Sequence, residues 1–188
     1  MLKQLRIALM MLVLLTALTG IVYPLVVTAI AQAFFPVQAK GSLISEAGNT
    51  VGSVLIGQAN DDPRYFWPRP SATDYGTLPS GGSNLGPTSA LLAEQVAHRA
   101  AGFRASNGLS GDSSVPNDML FASASGLDPH ISPAAARLQV ARIAGARHLD
   151  ASRIASLVDE HVEGPQFGIL GDPRVNVLLL NMALDRLQ

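Results

Sequence analysis

The chain of 188 residues carries 13 basic and 14 acidic side chains, a net charge of −1 at pH 7. It therefore lacks the basic surplus of nucleic-acid-binding proteins, and no nucleic acid is expected among its partners. It contains no cysteine, which excludes disulfide bonds, thiol catalysis and thiolate metal sites.

The N-terminal segment is long and apolar enough to cross a membrane. Residues 7–39 contain no Asp, Glu, Lys, Arg or His, and a span needs about 20 apolar residues. We predict a transmembrane helix over residues 7–33. Since Lys3 and Arg6 precede it, residues 1–6 should stay in the cytoplasm. Residues 36–188 would then form one periplasmic soluble domain of a single-pass protein of the bacterial inner (plasma) membrane.

A cleaved signal peptide is the alternative, because Ala29-Ile30-Ala31 and Ala31-Gln32-Ala33 both offer the small-x-small pattern of a cleavage site. The apolar region of a signal peptide runs to about 7–15 residues. The longer stretch here favours a retained anchor. Gly20 and Pro24 are expected to bend the helix, because proline removes a backbone hydrogen bond.

The first part of the domain is predicted to be a hairpin followed by a long loop and a helix. The loop is dense in Pro, Gly, Ser and Asp around Tyr65-Phe66-Trp67, and long ordered loops are uncommon unless they bind something. In chain order, the predicted elements are a β-hairpin over 41–58 with its turn at 47–49, the loop over 60–87, a helix from Pro87 to about Phe103, and a polar linker over 104–115.

The second part is predicted to be mostly helical. Ser132 and Asp150 are expected to cap helices, with Pro133 in the first turn of its own. The elements are a strand at 119–123, a tight turn at 126–129, helices over 133–147 and from 150 to 162, a strand at 167–170, and a last helix with Asp172 as cap and Pro173 at its first position. The expected fold class is α+β: one N-terminal transmembrane helix followed by a single mixed α/β extracytoplasmic domain.

Motifs that could carry chemistry are weak. The stretch from Gly81 to Thr88 resembles a phosphate-binding loop, but Pro87 stands where the lysine is needed. Ser125, Asp128 and His130 form a loose nucleophile, acid and base set, although an ordinary turn is favoured. His148 and His161 show no metal-ligand spacing. We therefore predict no catalytic residue and no metal site.

Five sequence blocks, in order, resemble one family. After the N-terminal span these are IGQ at 56–58, YFWPRPSA at 65–72, SGGSNLGP at 80–87, VPNDMLFASASGLDPHISP at 115–133 and EGPQFGILGDPRVNVLLLN at 163–181. Together they are similar to the C subunit of the Kdp potassium-transporting P-type ATPase, the KdpC family. The resemblance covers nearly the whole chain.

The resemblance implies a non-motor accessory subunit of a high-affinity, ATP-driven potassium uptake complex. Its expected partners are a channel-like potassium-translocating subunit, the P-type ATPase catalytic subunit, a small hydrophobic subunit and the lipid bilayer. The subunit would stabilise their assembly and, as a catalytic chaperone, raise the ATP affinity of the catalytic subunit. The only lysines are Lys3 and Lys40, and neither follows an Asp, so the chain lacks the Asp-Lys pair of a P-type phosphorylation site. We expect no firmly bound cofactor, with ATP present through the complex.

Two segments are predicted to form the interface with partners. They are the turn Gly126, Leu127, Asp128, Pro129 and His130, expected to dock on the channel-like subunit, and the aromatic run Tyr65, Phe66 and Trp67. Gln139 is the residue predicted to contact a nucleotide. The alternative function is a membrane-anchored periplasmic hydrolase or ligand-binding domain that uses the turn from Ser125 to His130.

Overall fold

The computed structural model describes residues 1–46 and 48–187. The chain divides into two units, Met1–Val51 and Gly52–Gln188, and its fold is α+β, as predicted. Ala47, the first residue of the predicted hairpin turn, lies outside the described residues.

The first unit is dominated by one apolar helix. It comprises α1 (Leu2–Ala17), a π-helical turn (Leu18–Val22) and α2 (Tyr23–Phe34). Leu2–Phe34 contains an 18-residue stretch with a mean hydropathy of 2.3 and has no buried residue, which makes it a candidate membrane span. The predicted helix over 7–33 is therefore present, and it is longer at both ends.

The π-helical turn lies where the sequence predicts an irregularity. It contains Gly20 and ends two residues before Pro24, whose missing N–H breaks the regular hydrogen-bond pattern. The Thr19 hydroxyl donates to the Leu15 carbonyl at 2.7 Å. The short helix α3 (Pro36–Ala39) follows, and then β1 (Leu43–Glu46) pairs with β2 (Asn49–Ser53) in the predicted hairpin.

The second unit has a small antiparallel sheet packed against helices. The strands β3 (His130–Ile131), β4 (Val162–Glu163) and β5 (Arg174–Asn176) lie in the order β3-β5-β4. The helices of this unit are α4 (Ala90–Ser106), α5 (Asn117–Leu120), α6 (Pro133–Arg147), α7 (Ala151–Glu160) and α8 (Val177–Asp185). The sheet and helices share one core, which includes the fully buried Phe66, Ile131, Ile143, Ile154, Val158, Val175, Leu180 and Leu184.

The two helices at the centre of the domain begin as the sequence predicts. The Ser132 hydroxyl accepts from the Ala135 N–H at 3.1 Å, and Pro133 occupies the first turn of α6. The Asp150 carboxylate accepts from the Ser152 N–H at 2.8 Å at the start of α7. These caps satisfy backbone donors that a helix start leaves unpaired.

Two predictions for the domain ahead of α6 are wrong, one on a helix boundary and one on an element type. Helix α4 begins at Ala90 rather than at Pro87, because the Ser89 hydroxyl accepts from the Leu92 N–H and caps it there. No strand forms at 119–123, where the helical turn α5 ends at Leu120 and irregular chain follows. That turn buries Met119 in the core.

Two further corrections concern the chain after α7. The predicted strand at 167–170 is a tight turn, because Phe167 and Gly168 adopt left-handed φ angles of 54° and 78° that a strand cannot contain. The last helix begins at Val177, capped by Asn176 rather than by Asp172. Residues 174–176 form β5, which pairs with both β3 and β4. The helix cannot begin earlier, because these residues are extended in the sheet.

Candidate functional site

The aromatic run from Tyr65 to Trp67 is held by two side-chain amides. The Phe66 N–H donates to Asn181 Oδ1 at 2.8 Å, and Asn181 Nδ2 donates to the Phe66 carbonyl at 3.0 Å. The Trp67 N–H donates to Gln139 Oε1 at 2.8 Å. Asn181 on α8 and Gln139 on α6 thus satisfy the backbone of the loop as a neighbouring strand would. Phe66 is fully buried between them.

Arg142 holds the same loop by donating hydrogen bonds to uncharged acceptors. Its guanidinium lies over the Trp67 ring at 4.1 Å from the ring centroid. Nη1 donates to the Pro63 carbonyl at 2.6 Å, and Nε donates to Asn107 Oδ1 at 3.0 Å. Burial lowers the pKa of Arg142 to about 10, so the group is still cationic at neutral pH. A cation stacked on an aromatic face and hydrogen-bonded through all three of its nitrogens is a strong local restraint.

Tyr65 lies at the edge of this cluster, beside a cleft of about 330 Å³. Its hydroxyl donates to Asp185 Oδ2 at 3.2 Å, and the Arg147 guanidinium lies 4.5 Å from the ring centroid. Arg147 also forms an ion pair with Asp185 at 2.6 Å. Tyr65 and Trp67 are both half-buried, so each presents part of its ring to solvent.

The turn at 126–130 lies beneath neighbouring loops. Gly126 has a φ of 72°, and a Cβ there would lie 2.5 Å from Thr73 Oγ1, so only glycine fits without strain. The Gly57 N–H donates to the Leu127 carbonyl at 2.8 Å, and the Val177 N–H donates to the Pro129 carbonyl at 2.9 Å. The backbone of this turn therefore connects three parts of the domain.

Asp128 is the charged centre of the turn. Its Oδ2 lies 2.7 Å from Arg69 Nη1, and its Oδ1 accepts from the His130 N–H at 3.0 Å. Burial alone would raise the pKa of the carboxyl, but the hydrogen bonds from His130 and Arg69 outweigh it and lower the pKa to about 2. Asp128 is therefore ionised at neutral pH, and its charge is neutralised inside the domain.

The two predicted interface segments are thus each held by contacts inside the domain. Within 126–130, Gly126 and Pro129 are buried and the other residues are half-buried. The hydrogen-bond and ion-pair partners described for both segments lie within the domain, which gives these residue types a structural role there. The docking role of either segment remains a prediction.

Gln139 lies inside the domain with no exposed surface. Its Oε1 accepts from the Trp67 N–H and from Arg142 Nη2, and its Nε2 donates to the Ala135 carbonyl at 3.3 Å. The predicted nucleotide contact would require these bonds to break. The geometry gives Gln139 the role of positioning the aromatic loop.

Hydrolytic chemistry has no support in the arrangement around Ser125. Its hydroxyl accepts from the Leu127 N–H at 3.1 Å, while His130 Nδ1 lies 3.6 Å from Asp128 Oδ1. Among the described residues no hydrogen bond joins Ser125 to His130, and no group of His, Asp and Glu could hold a metal ion. The glycine-rich stretch at 81–88 is irregular chain ahead of α4.

Sequence reasoning missed the side chains that hold the loops. Asn181 is a lone amide within the apolar run of α8, and Arg142 follows Gln139 by one helical turn. A polar residue on the buried face of a helix signals a hydrogen-bonded role, because an unpaired buried polar group is costly. Arg69, the partner of Asp128, has no comparable signal in the sequence.

Comparison with known proteins gives a consistent result. The family model described as "KdpC: K+-transporting ATPase, c chain" matches residues 5–186. The chain is similar to a protein named potassium-transporting ATPase KdpC subunit in Sorangium cellulosum, 56% identical over 98% of each chain. A protein of the same name from Geobacter sulfurreducens is 53% identical over 98% of each chain. Another from Burkholderia ambifaria is 56% identical over 94% of this chain and 92% of the relative.

Proposed function

Because the chain belongs to the KdpC family of K+-transporting ATPase c chains, we propose that it is a non-motor accessory subunit of a high-affinity, ATP-driven potassium uptake complex. In this role it stabilises the assembly of a channel-like potassium-translocating subunit, a P-type catalytic subunit and a small hydrophobic subunit. The observation that carries the proposal is the match to this family along almost the whole chain.

The structure is consistent with an accessory role in two respects. The buried side chains of Gln139 and Asn181 form hydrogen bonds inside the domain, to Arg142 and to the Phe66 backbone respectively. The apolar helix that precedes the domain, Leu2–Phe34, has no buried residue. The surface of that helix is therefore available to lipid and to other membrane helices.

The proposal includes a topology. Lys3 and Arg6 lie at the start of the apolar helix, ahead of its uncharged stretch, and hold the N-terminus in the cytoplasm. The domain over residues 36–188 then lies on the periplasmic side of the inner membrane. An effect on the ATP affinity of the catalytic subunit would have to be transmitted through that subunit, since a periplasmic domain is separated from cytoplasmic ATP by the bilayer.

Native electrophoresis after mild detergent extraction tests the proposal. An accessory subunit migrates in a large heteromeric complex that also contains the ATP-hydrolysing subunit. An anchored hydrolase or ligand-binding domain migrates as a free species near its own mass of 19.7 kDa. Recovery of only the free species, from cells that also produce the other subunits, would contradict the proposal.

A further inference from the structure

The loop that joins β4 to β5 displays three large apolar side chains to solvent. Phe167 is 92% exposed, Ile169 is 82% exposed and Leu170 is 56% exposed. Among the other large apolar side chains described after residue 51, only Leu78, at 94%, is as exposed as Phe167 and Ile169. Clustered exposed apolar side chains on a folded domain mark sites of interaction.

This loop is ordered by its own hydrogen bonds. The Gln166 N–H donates to the Leu170 carbonyl at 2.8 Å, and the Leu170 N–H donates to the Gln166 carbonyl at 3.0 Å. The chain reverses direction at Phe167 and Gly168, which both have positive φ angles. The apolar side chains are therefore presented on a narrow, preorganised turn, which lowers the entropic cost of binding.

Phe167 is an unfavourable residue for the turn itself. Phe167 and Gly168 are the central residues of the β-turn in which the Ile169 N–H donates to the Gln166 carbonyl at 3.2 Å. β-turns with positive φ at both central positions prefer Gly, Asn and Asp there, and a bulky side chain with positive φ is rare. At position 167 the chain has the most exposed aromatic side chain of its described residues. A large apolar group held in a costly backbone conformation points to a requirement for that side chain outside the domain.

The charges near the loop favour a protein partner over a lipid surface. Residues 164–173 contain no Lys or Arg, and Asp172 is their only charged residue. Anionic lipid surfaces attract basic segments, and the loop offers none. Glu163 and Arg174, which flank the loop, neutralise each other in an ion pair at 3.1 Å. The loop thus carries apolar side chains without the cationic groups that would hold it on a membrane.

We propose that the loop over residues 165–171 inserts Phe167 and Ile169 into an uncharged apolar pocket on another protein subunit of the pump. The inference rests on the proposed function, which supplies the partner. Two adjacent apolar anchors on a rigid turn match the interface hot spots that dominate binding energy. The loop would thereby add a contact made by the domain to those made by the apolar helix.

A double variant tests this insertion in the full chain. Phe167→Asn creates the Asn-Gly pair that the turn prefers, and Ile169→Ser removes the second anchor. The thermal melting temperature should therefore stay the same or rise, while the affinity for the tagged pump falls by about tenfold or more. Leu91→Ser is the matched control, because Leu91 is 52% exposed on α4 and should leave the affinity unchanged.

The outcomes separate the insertion from the proposed function. Failure of the unaltered chain to copurify with the pump would contradict the proposed function. Normal copurification of both the unaltered chain and the double variant would contradict only the insertion of the loop.

A fluorescent label distinguishes a protein pocket from lipid. The chain contains no cysteine, so Ile169→Cys gives a single site for a polarity-sensitive dye. A blue shift of the dye emission on assembly with the pump, absent for the chain alone in liposomes, supports the proposal. A blue shift in liposomes without the other subunits, or no shift in either preparation, would overturn it.

Discussion

Asp128→Asn should remove a pH-dependent part of the stability of the domain while keeping the shape of its turn. The amide oxygen of asparagine can still accept from the His130 N–H, as Asp128 Oδ1 does at 3.0 Å. The neutral side chain loses the ion pair in which Oδ2 lies 2.7 Å from Arg69 Nη1. The substitution therefore isolates the charge of Asp128 from its role as a turn residue.

The magnitude follows from the pKa of Asp128, which is about 2 in the folded protein against an ordinary value of 3.8 for this side chain. One pKa unit corresponds to about 1.4 kcal/mol, so the ionised carboxylate stabilises the folded state by about 2 kcal/mol near neutral pH. Because folding lowers this pKa, the contribution is present above the unfolded-state value and is lost as the pH falls through the folded-state value. Near pH 3 roughly half of it remains.

Urea unfolding of the full chain in mild detergent can measure this effect. Trp67, the only tryptophan, lies in the loop network and reports on the domain. Asp128→Asn should lower the free energy of unfolding by about 2 kcal/mol near pH 7 and by about 1 kcal/mol near pH 3.

Asp159→Asn is the control, because its ion pair with Arg137 is exposed at both ends and should contribute less than about 1 kcal/mol. An equal cost of Asp128→Asn at both pH values, or no cost at either, would refute the assignment of this charge to stability.

Three further predictions concern the loops and the topology. Gly57→Ala places a Cβ 2.5 Å from the Asp128 carbonyl oxygen and should destabilise the domain by about 1–3 kcal/mol in urea unfolding. Gly145→Ala is the control: it has open space around it in α6 and should stabilise the domain by about 0.5–1 kcal/mol. Gln139→Leu leaves the Trp67 N–H unpaired and should cost about 1–3 kcal/mol with a shift in tryptophan emission; unchanged stability and emission would contradict the positioning role. Intact-mass measurement should show that the mature chain keeps residue 1, and protease added to spheroplasts should digest residues 40–188. A product cleaved after Ala31 or Ala33, or protection of the domain from protease, would contradict the topology.

The parts of the fold that could be predicted from the sequence depend on local signals. The apolar helix follows from residue type alone, and helix α6 follows from a Ser-Pro start and the periodic Val140 and Ile143. The short strands β3, β4 and β5 have two or three residues each, too few for any alternation to be visible. Their formation depends on pairing between residues such as Val162 and Val175 that are distant in sequence.

The same distinction applies to the candidate site. The unusual composition of Tyr65-Phe66-Trp67 and of the turn at 126–130 was visible in the sequence, but the reason for it was not. The aromatic run and the turn are held by Asn181 and Arg69, respectively, which lie 115 and 59 residues away along the chain. Contacts at such separations arise only from the tertiary fold, so sequence reasoning identified the segments as special without revealing that they hold the domain together.

The central claim, that this chain is an accessory subunit required by a potassium pump, is tested most directly by potassium uptake in proteoliposomes. The pump is purified from cells with and without this chain, reconstituted at equal amounts of the catalytic subunit, and assayed for ATP-driven potassium uptake. We expect uptake only when the chain is present, together with loss of the other subunits from the preparation that lacks it. A fully assembled complex that takes up potassium at the same rate without the chain would contradict the account.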